Sequence, residues 1–345
     1  MTSRQGIALV LVLVGCSGDK AAAPPPQQNP PPPVTVASAT PPPPKEPTPE
    51  EKKKAEDAKK LEEDRAKFER DKQAELARWT PQMHTAAAAL TAKVFPNADA
   101  AIKAVLASPH RQPGHADRDK YRHPLETLRF FGLTPTMTVV EYAPGEGWYT
   151  ELLAPVLSKR GKLYDPMSDP NGPADQQSTL GGQRFKALLD SSPEIYGNVK
   201  PIVVDNKAPQ LGLDKVADVV LLVREIHGYY NQGTLSQWLG EAWKALKPGG
   251  VLGVVQHRAP VGSKPEDTAK NGYVAEAWVI QQVEAAGFKL SAKSEINANP
   301  HDTKDYPQGV WSLPPTYREG DANRAKYAAI GESDRMTLKF VKVTK

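Results

Sequence analysis

The sequence predicts an α/β fold, an open doubly wound sheet of seven mostly parallel strands, preceded by segments that cannot belong to it. Three observations lead there. A short apolar run, Val139-Val140, ends at Glu141 and passes through a Pro-Gly turn into Gly145-Glu146-Gly147 and then a helical pattern, which reads as strand, tight loop and helix. The run A-D-V-V-L-L-V from Ala217 to Val223 is apolar without alternation after Asp218, as a parallel strand buried on both faces must be. Strand and helix patterns then alternate along the chain, which is the signature of a layered parallel sheet.

The chain begins outside that fold. Arg4, the apolar run Gly6 to Val14 and the ending Leu13-Val14-Gly15-Cys16 make residues 1–15 a secretory signal, too short to cross a bilayer as a finished helix. Cys16 is the only cysteine among 345 residues, so no disulfide framework is available and no thiol is left for catalysis or metal. Residues 16–48 are rich in proline, with runs Pro30 to Pro33 and Pro41 to Pro44. Such a stretch cannot bury a core and favours polyproline II, extended by about 3.1 Å per residue, for a reach of up to roughly 100 Å. We read it as a stalk in preference to a ligand for an SH3-type domain. Thr48-Pro49-Glu50-Glu51 then supplies an N-cap, a proline at the first helical position and an acid three residues after the cap. The helix so started, over 49–80, carries ten acids and ten bases between residues 50 and 79 and reads as a solvated spacer, with a coiled coil as the alternative. A formal charge of +4 over the whole chain is too small to imply a nucleic-acid partner.

Residues 81–345 contain the domain. Helical patterns run from Met83 to Val94, from Ala98 to Leu106 and from Pro124 to a stop at Gly132. His110, His115 and His123 share no helix face and no zinc spacing, so we read them as solvated and expect no metal. After the first strand, Tyr149, Leu152, Leu153, Val156 and Leu157 form one apolar stripe, with Pro155 inside it as a possible break. Leu163-Tyr164 and Ile202 to Val204 are short strands, and Leu235 to Leu246 is a helix stopped by Lys247-Pro248-Gly249-Gly250. Val251 to Val255 is the fifth strand, followed by a helix to Ala286 and strands near Phe288 to Ile296 and Met336 to Val343. Asn297 to Arg324 is polar and proline-rich and is assigned no structure.

The glycine loop carries the chemistry. Glycines let a ligand approach the backbone without meeting a Cβ, and the unpaired N–H groups of the following helix point at whatever sits there, which suits a nucleotide-type cofactor. The third glycine of a dinucleotide fingerprint is missing, which disfavours a nicotinamide cofactor. The spacing acid-x-x-x-Gly-x-Gly, Glu141 to Gly147, resembles instead the first motif of class I S-adenosylmethionine-dependent methyltransferases. The order E-Y-A-P-G-E-G, D-V-V-L-L-V, A-L-K-P-G-G-V-L extends the resemblance over the domain. More narrowly, P-G-E-G-W-Y-T-E-L-L-A-P with G-V-L-G-V-V-Q-H-R-A and D-R-M-T-L-K-F-V-K is similar to a group of bacterial predicted methyltransferases found partly as secreted proteins. Leu-Val-Gly-Cys likewise resembles a bacterial lipobox, which implies a lipidated Cys16 and, with Ser17 next, an outer-membrane anchor facing the periplasm.

The resemblance implies a Rossmann-like methyltransferase fold, S-adenosylmethionine as cofactor and a small-molecule substrate. Glu141, Ala143, Gly145 and Gly147 would lie beneath the methionine part, and Asp205 and Asn206 near the adenine. The ribose-binding acid is expected near Met167, so the sequence departs there, and Asp165 is the candidate beside Asp169. Substrate chemistry belongs outside the carboxyl ends of the strands. After strand four come Glu225, His227 and Tyr229, and after strand five His257 and Arg258. His227 is the first candidate for a base, Glu225 and His257 the next, Arg258 a holder of an acidic substrate and Tyr229 a pocket residue. The other function class is a non-catalytic lipoprotein whose domain binds a different ligand or a cell-envelope protein.

Overall fold

The computed structural model describes residues 23–24, 26–29 and 46–343. Cys16, residues 1–15 and most of the proline-rich stretch therefore lie outside the described residues. The chain divides into two units, Met1–Thr48 and Pro49–Lys345. The described residues of the first carry neither helix nor strand.

In the second unit the helices are α1 (Pro49–Arg78), α2 (Pro81–Ala92), α3 (Ala98–Leu106), α4 (Asp119–Arg122), α5 (Pro124–Phe131), α6 (Thr150–Leu157), α7 (Gln177–Ser191), α8 (Pro193–Tyr196), α9 (Ile226–Asn231), α10 (Leu235–Ala245), α11 (Pro265–Thr268), α12 (Glu276–Ala285) and α13 (Arg324–Ile330). The strands are β1 (Thr138–Tyr142), β2 (Lys162–Met167), β3 (Val199–Val203), β4 (Ala217–Val223), β5 (Leu246–His257), β6 (Phe288–Ser294) and β7 (Arg335–Lys342). They form one seven-stranded sheet in the order β3-β2-β1-β4-β5-β7-β6. The first five run parallel, and β7 enters antiparallel to both β5 and β6.

Side-chain alternation divides the core in two. Val139, Val219 and Leu221 face a cluster with Ile102, Phe131 and Leu152, while Val140, Val220 and Leu222 face another with Trp238, Leu239 and Val279. Both faces of β1 and β4 are thus dry, which is why Val139-Val140 and Val219 to Leu222 are apolar without alternation. The chain winds outward from β1 through β2 to β3, then returns to lay β4 on the other side of β1. That reversal opens a crevice at the carboxyl ends of β1 and β4, where ligands of open α/β sheets bind.

The structure departs from the sequence reading in several places. Helix α6 continues through Pro155, which stands six residues into an eight-residue helix. Helix α10 ends at Ala245, just before Lys247 to Gly250, but these residues also belong to the fifth strand: Ala217 pairs with Leu246 and Val219 with Val251, so β5 takes up the extra residues as an irregularity. Residues 297–324 are built into the molecule, with a short 3-10 helix at Gly309–Ser312 and buried Tyr306, Val310 and Leu313. Asp302 ties this segment down, accepting from Tyr273 Oη at 3.0 Å and from the Asp334 amide at 2.7 Å.

Helix α1 is not solvated along its whole length. Its second half lies on α7: Arg65 Nη1 donates to Gln183 Oε1 at 3.2 Å, Arg184 Nη2 to the Asp64 carbonyl at 2.9 Å and Gln177 Nε2 to Asp64 Oδ2 at 2.6 Å, and Phe68 is buried. A nearly all-charged helix hides this contact from sequence, because one buried aromatic makes no periodic stripe. Phe68→Ala should lower stability by about 2 kcal/mol and speed amide exchange in the second half of α1, measured by chemical denaturation and hydrogen exchange. Unchanged values for both would mean that the contact carries no energy.

Candidate functional site

The loop after β1 is held in left-handed backbone at three positions: Ala143 (φ 49°), Gly145 (φ 60°) and Gly147 (φ 80°). The two glycines take that region freely, and Ala143 takes it against its Cβ. They serve different ends. A Cβ on Gly147 would stand 2.0 Å from Leu188 Cδ2, so this glycine lets α7 close on the loop. A Cβ on Gly145 would meet nothing nearer than the Ala143 carbonyl oxygen at 3.9 Å, so this glycine leaves space open.

That space belongs to a cleft of about 290 Å³ at the carboxyl ends of β1, β2 and β4. Ala143 and Gly145 line it from the loop, Met167 and Ser168 from the end of β2, Asn206 from beyond β3, Phe185 from α7, and Glu225, Tyr229 and Trp238 from the far side. Asn206 Nδ2 donates to Ser168 Oγ at 2.9 Å. Tyr229 is buried and stacks on Trp238 with ring centroids 4.7 Å apart. Asp205 is exposed, and its Oδ1 accepts from the Lys207 amide at 2.9 Å.

Glu141 and Asp165 lie beneath the lining rather than in it. The register that pairs Val140 with Tyr164 sets them side by side on neighbouring strands. Glu141 accepts from Thr150 Oγ1 at 2.8 Å, whereas neither oxygen of fully buried Asp165 has a partner. Burial first of all raises both carboxyls, and the Glu141 charge adds to the rise at Asp165. The pair therefore holds a proton rather than two charges. The end of β2, where an acid was expected, is Met167.

Together with the titratable groups Glu146, Arg184 and Tyr229, Glu225 lines the cleft. Burial raises its carboxyl to about 7, opposed by neighbouring Arg224. It lies folded against α9, where a Cβ on Gly228 would come within 2.3 Å of Glu225 Oε1. His227 sits deeper, 8% exposed, and burial pulls it down to about 4, so it is neutral at pH 7. Its Nδ1 is 3.2 Å from Gln256 Nε2. Gln256 is oriented by accepting from the Ile226 amide through Oε1 and donating to the Gly272 carbonyl through Nε2. That orientation makes His227 Nδ1 the acceptor and leaves its proton on Nε2. The Glu225 carboxylate is accordingly the stronger candidate base. His257 Nδ1 lies 2.5 Å from Ser333 Oγ, and burial followed by the charges of its neighbours keeps the ring neutral. The ordered segment 297–324 brings Trp311 to 5.8 Å from the His227 ring, ring centre to ring centre.

Arg258 is already engaged. Its guanidinium pairs with Asp334 at 2.9 Å, Glu295 at 2.6 Å and Glu276 at 3.2 Å, so it braces β5 against its neighbours instead of awaiting an acidic ligand. His110 and His115 are likewise not solvated. His110 Nε2 lies 2.8 Å from the Glu151 carbonyl oxygen and His115 Nδ1 3.0 Å from Glu151 Oε2, both rings buried at the start of α6. Among the described residues no group of His, Cys, Asp and Glu could hold a metal ion.

Sequence reasoning missed three arginines. Arg122 closes α4, Arg224 follows β4 with φ 61°, and Arg335 opens β7. Glu332 is the shared partner of Arg122 and Arg335: Arg122 Nε lies 3.0 Å from both its oxygens and Arg335 Nη1 2.5 Å from Oε2. Burial would raise Glu332, but Arg335, Arg122 and Arg224 outweigh it and hold the carboxyl at about 2. An arginine directly after the most apolar strand was the one available signal for Arg224.

No protein-family model matches the chain, and no curated protein matches it. Among solved structures, an S-adenosylmethionine-dependent methyltransferase from Aquifex aeolicus is similar at 17% identity and TM-score 0.44, over 71% of this chain and 98% of that one. The cyclase SpnF is similar at 14% identity and TM-score 0.47, over 72% and 98%. The glycopeptide N-methyltransferase MtfA is similar at 15% identity and TM-score 0.40, over 67% and 99%. The fold assignment rests on the strand order itself.

Glu225 gives a pH dependence whose sign follows from linkage. The folded protein keeps the Glu225 proton up to about pH 7, while the unfolded chain releases it near the ordinary value of 4.5. Stability contributed here is therefore present below pH 4.5 and lost as pH rises toward 7. Glu225→Gln should abolish that fall and raise stability at pH 8 by about 2 kcal/mol, read from urea denaturation at pH 5 and pH 8. A variant that tracks the parent at both pH values would contradict it.

Proposed function

We propose that the cleft binds S-adenosylmethionine and that the protein transfers its methyl group to a small-molecule acceptor. The observation that carries this reading is the left-handed loop Ala143 to Gly147. It bears the acid-x-x-x-Gly-x-Gly spacing, stands at the switch point of the sheet and leaves the Gly145 side open to the cleft. The lining fits the group in most respects. Phe185 and Met167 offer apolar walls to a base, and Asn206 and Ser168 offer polar groups to the ribose in place of the expected acid. When bound, the cofactor supplies an electrophilic methyl group on a sulfonium. The chain's own work is positional. Glu225, ionised above about pH 7, would take a proton from an oxygen or nitrogen acceptor, while Tyr229 and Trp238 exclude water beside it.

Met167 supports a second reading, in which the domain binds a related ligand without catalysis, since no acid at the end of β2 clamps a ribose. Calorimetric titration of the purified protein with S-adenosylmethionine and S-adenosylhomocysteine separates the two. Micromolar binding, lost in Gly145→Arg, is expected, because an arginine there fills the open side of the loop. A folded protein that binds neither would end the methyltransferase reading. With an acceptor in hand, kcat/KM should rise through about pH 7 and lose that inflection in Glu225→Gln.

The envelope anchor is part of the same proposal and rests on Leu13-Val14-Gly15-Cys16 alone. Growth with an alkyne-tagged fatty acid should label the protein, and Cys16→Ala should abolish the label and release the protein from the membrane fraction. Unchanged labelling in Cys16→Ala would remove the anchor.

A further inference from the structure

A guanidinium cluster, buried at Arg122 and Arg335 and half-buried at Arg224, remains outside the cleft's lining and unused by the reading above. Arg122 is 3% exposed, and its Nη1 and Nη2 have no hydrogen-bond partner. Its Nε is taken by Glu332, and its plane lies 4.7 Å over the Trp148 ring. Arg335 is 2% exposed: Nη1 goes to Glu332, Nη2 to the Tyr121 carbonyl at 2.7 Å, and Nε to nothing. Arg224 Nε is also without a partner, and Glu332 acts on this side chain only at a distance. Three cations thus share one carboxylate. Arg224 and Arg335 act repulsively on Arg122, and Arg335 and Arg118 on Arg224.

Such an arrangement is costly by itself. Buried donors without acceptors lose their hydration and receive nothing for it, and like charges held together in a dry site repel. Structural arginines normally have their forks satisfied, as Arg258 and Arg111 do in this chain, each with more than one carboxylate. Position gives the cluster a purpose. Arg224 follows β4 directly and precedes Glu225, which lines the cleft, while Arg122 comes from the helical segment ahead of β1 and Arg335 from the start of β7. His257 and Tyr149 stand within the field of the same three arginines and carry no compensating negative charge at neutral pH. The missing component is an oxyanion, whose several acceptor atoms match the empty N–H groups.

We propose that Arg122, Arg224 and Arg335 bind the carboxylate or phosphate of an anionic small molecule, and that this molecule is the methyl acceptor. The second half of this statement rests on the function proposed above; the first half does not. The guanidiniums hold the acceptor by its anionic end, which leaves the rest of it to extend past Glu225 toward the cleft.

The test uses the whole protein and two probes, inorganic phosphate and malonate, titrated calorimetrically at constant ionic strength. Saturable binding of at least one is expected, and the tighter of the two tells a phosphate ester from a carboxylic acid. Arg224→Gln should weaken it by about tenfold or more, and Arg224→Lys should restore part of the loss. Without ligand, Arg224→Gln should melt at or above the temperature of the parent, because a repelling, unpartnered cation is removed. A lower melting temperature would mean that Arg224 holds the fold, and would overturn the proposal. So would the absence of saturable binding, or binding unchanged by the substitution. Titration of the same samples with S-adenosylmethionine separates the two claims: oxyanion binding without cofactor binding leaves the anion site standing and ends the methyltransferase reading, and the reverse ends the anion site alone.

Discussion

The groups that line the crevice are placed at the strand ends by one constraint, the burial of β1 and β4 on both faces. Val139 and Val140 point into opposite cores, as do the alternating residues of β4, so neither strand can carry a solvated side chain along its middle. The chain reverses its winding direction between these same two strands. The crevice at their carboxyl ends is the place where backbone, carboxyl and guanidinium groups can meet a ligand, and the loop from Ala143 to Gly147 turns there in left-handed backbone.

Where a polar side chain does enter the buried layer, its protonation adjusts. Glu141 and Asp165 sit on neighbouring strands under the loop, and burial favours the neutral form of each. One turn further along, charge is tolerated because opposites balance it: Glu151 is met by Arg111, and Arg258 by three carboxylates. The cluster of Arg122, Arg224 and Arg335 is the place where this balance fails, with Glu332 alone against three guanidiniums. An imbalance of that kind in an otherwise well-paired interior points to a function for the unpaired charge.

The glycine loop, the buried fourth strand and the apolar stripe of α10 were legible in the sequence because each is local: a period, a breaker or a run of one residue class. The candidate site was legible in part for the same reason. Ala143, Gly145, Asn206, Glu225 and Tyr229 do meet at one cleft, each lying just past the end of a strand that its own apolar pattern reveals. Arg258 shows the limit. Its position after β5 was visible, but Asp334, Glu295 and Glu276 reach it from β7, the end of β6 and α12, and nothing in its own neighbourhood announces them. His110 and His115 were misjudged for a like reason, since Glu151, some forty residues on, turns toward them from α6.

By itself the sequence determined where most of the strands and longer helices lie, that the sheet is doubly wound, and that a backbone loop follows the first strand, because these depend on residues within a few positions of one another. Tertiary structure alone decided the electrostatics, which carboxyls are neutral, which histidine nitrogen holds the proton and which arginines are paired, and it brought Trp311 to the His227 ring. Those properties depend on burial and on partners far apart in the chain, and packing brings them together only when the sheet is complete.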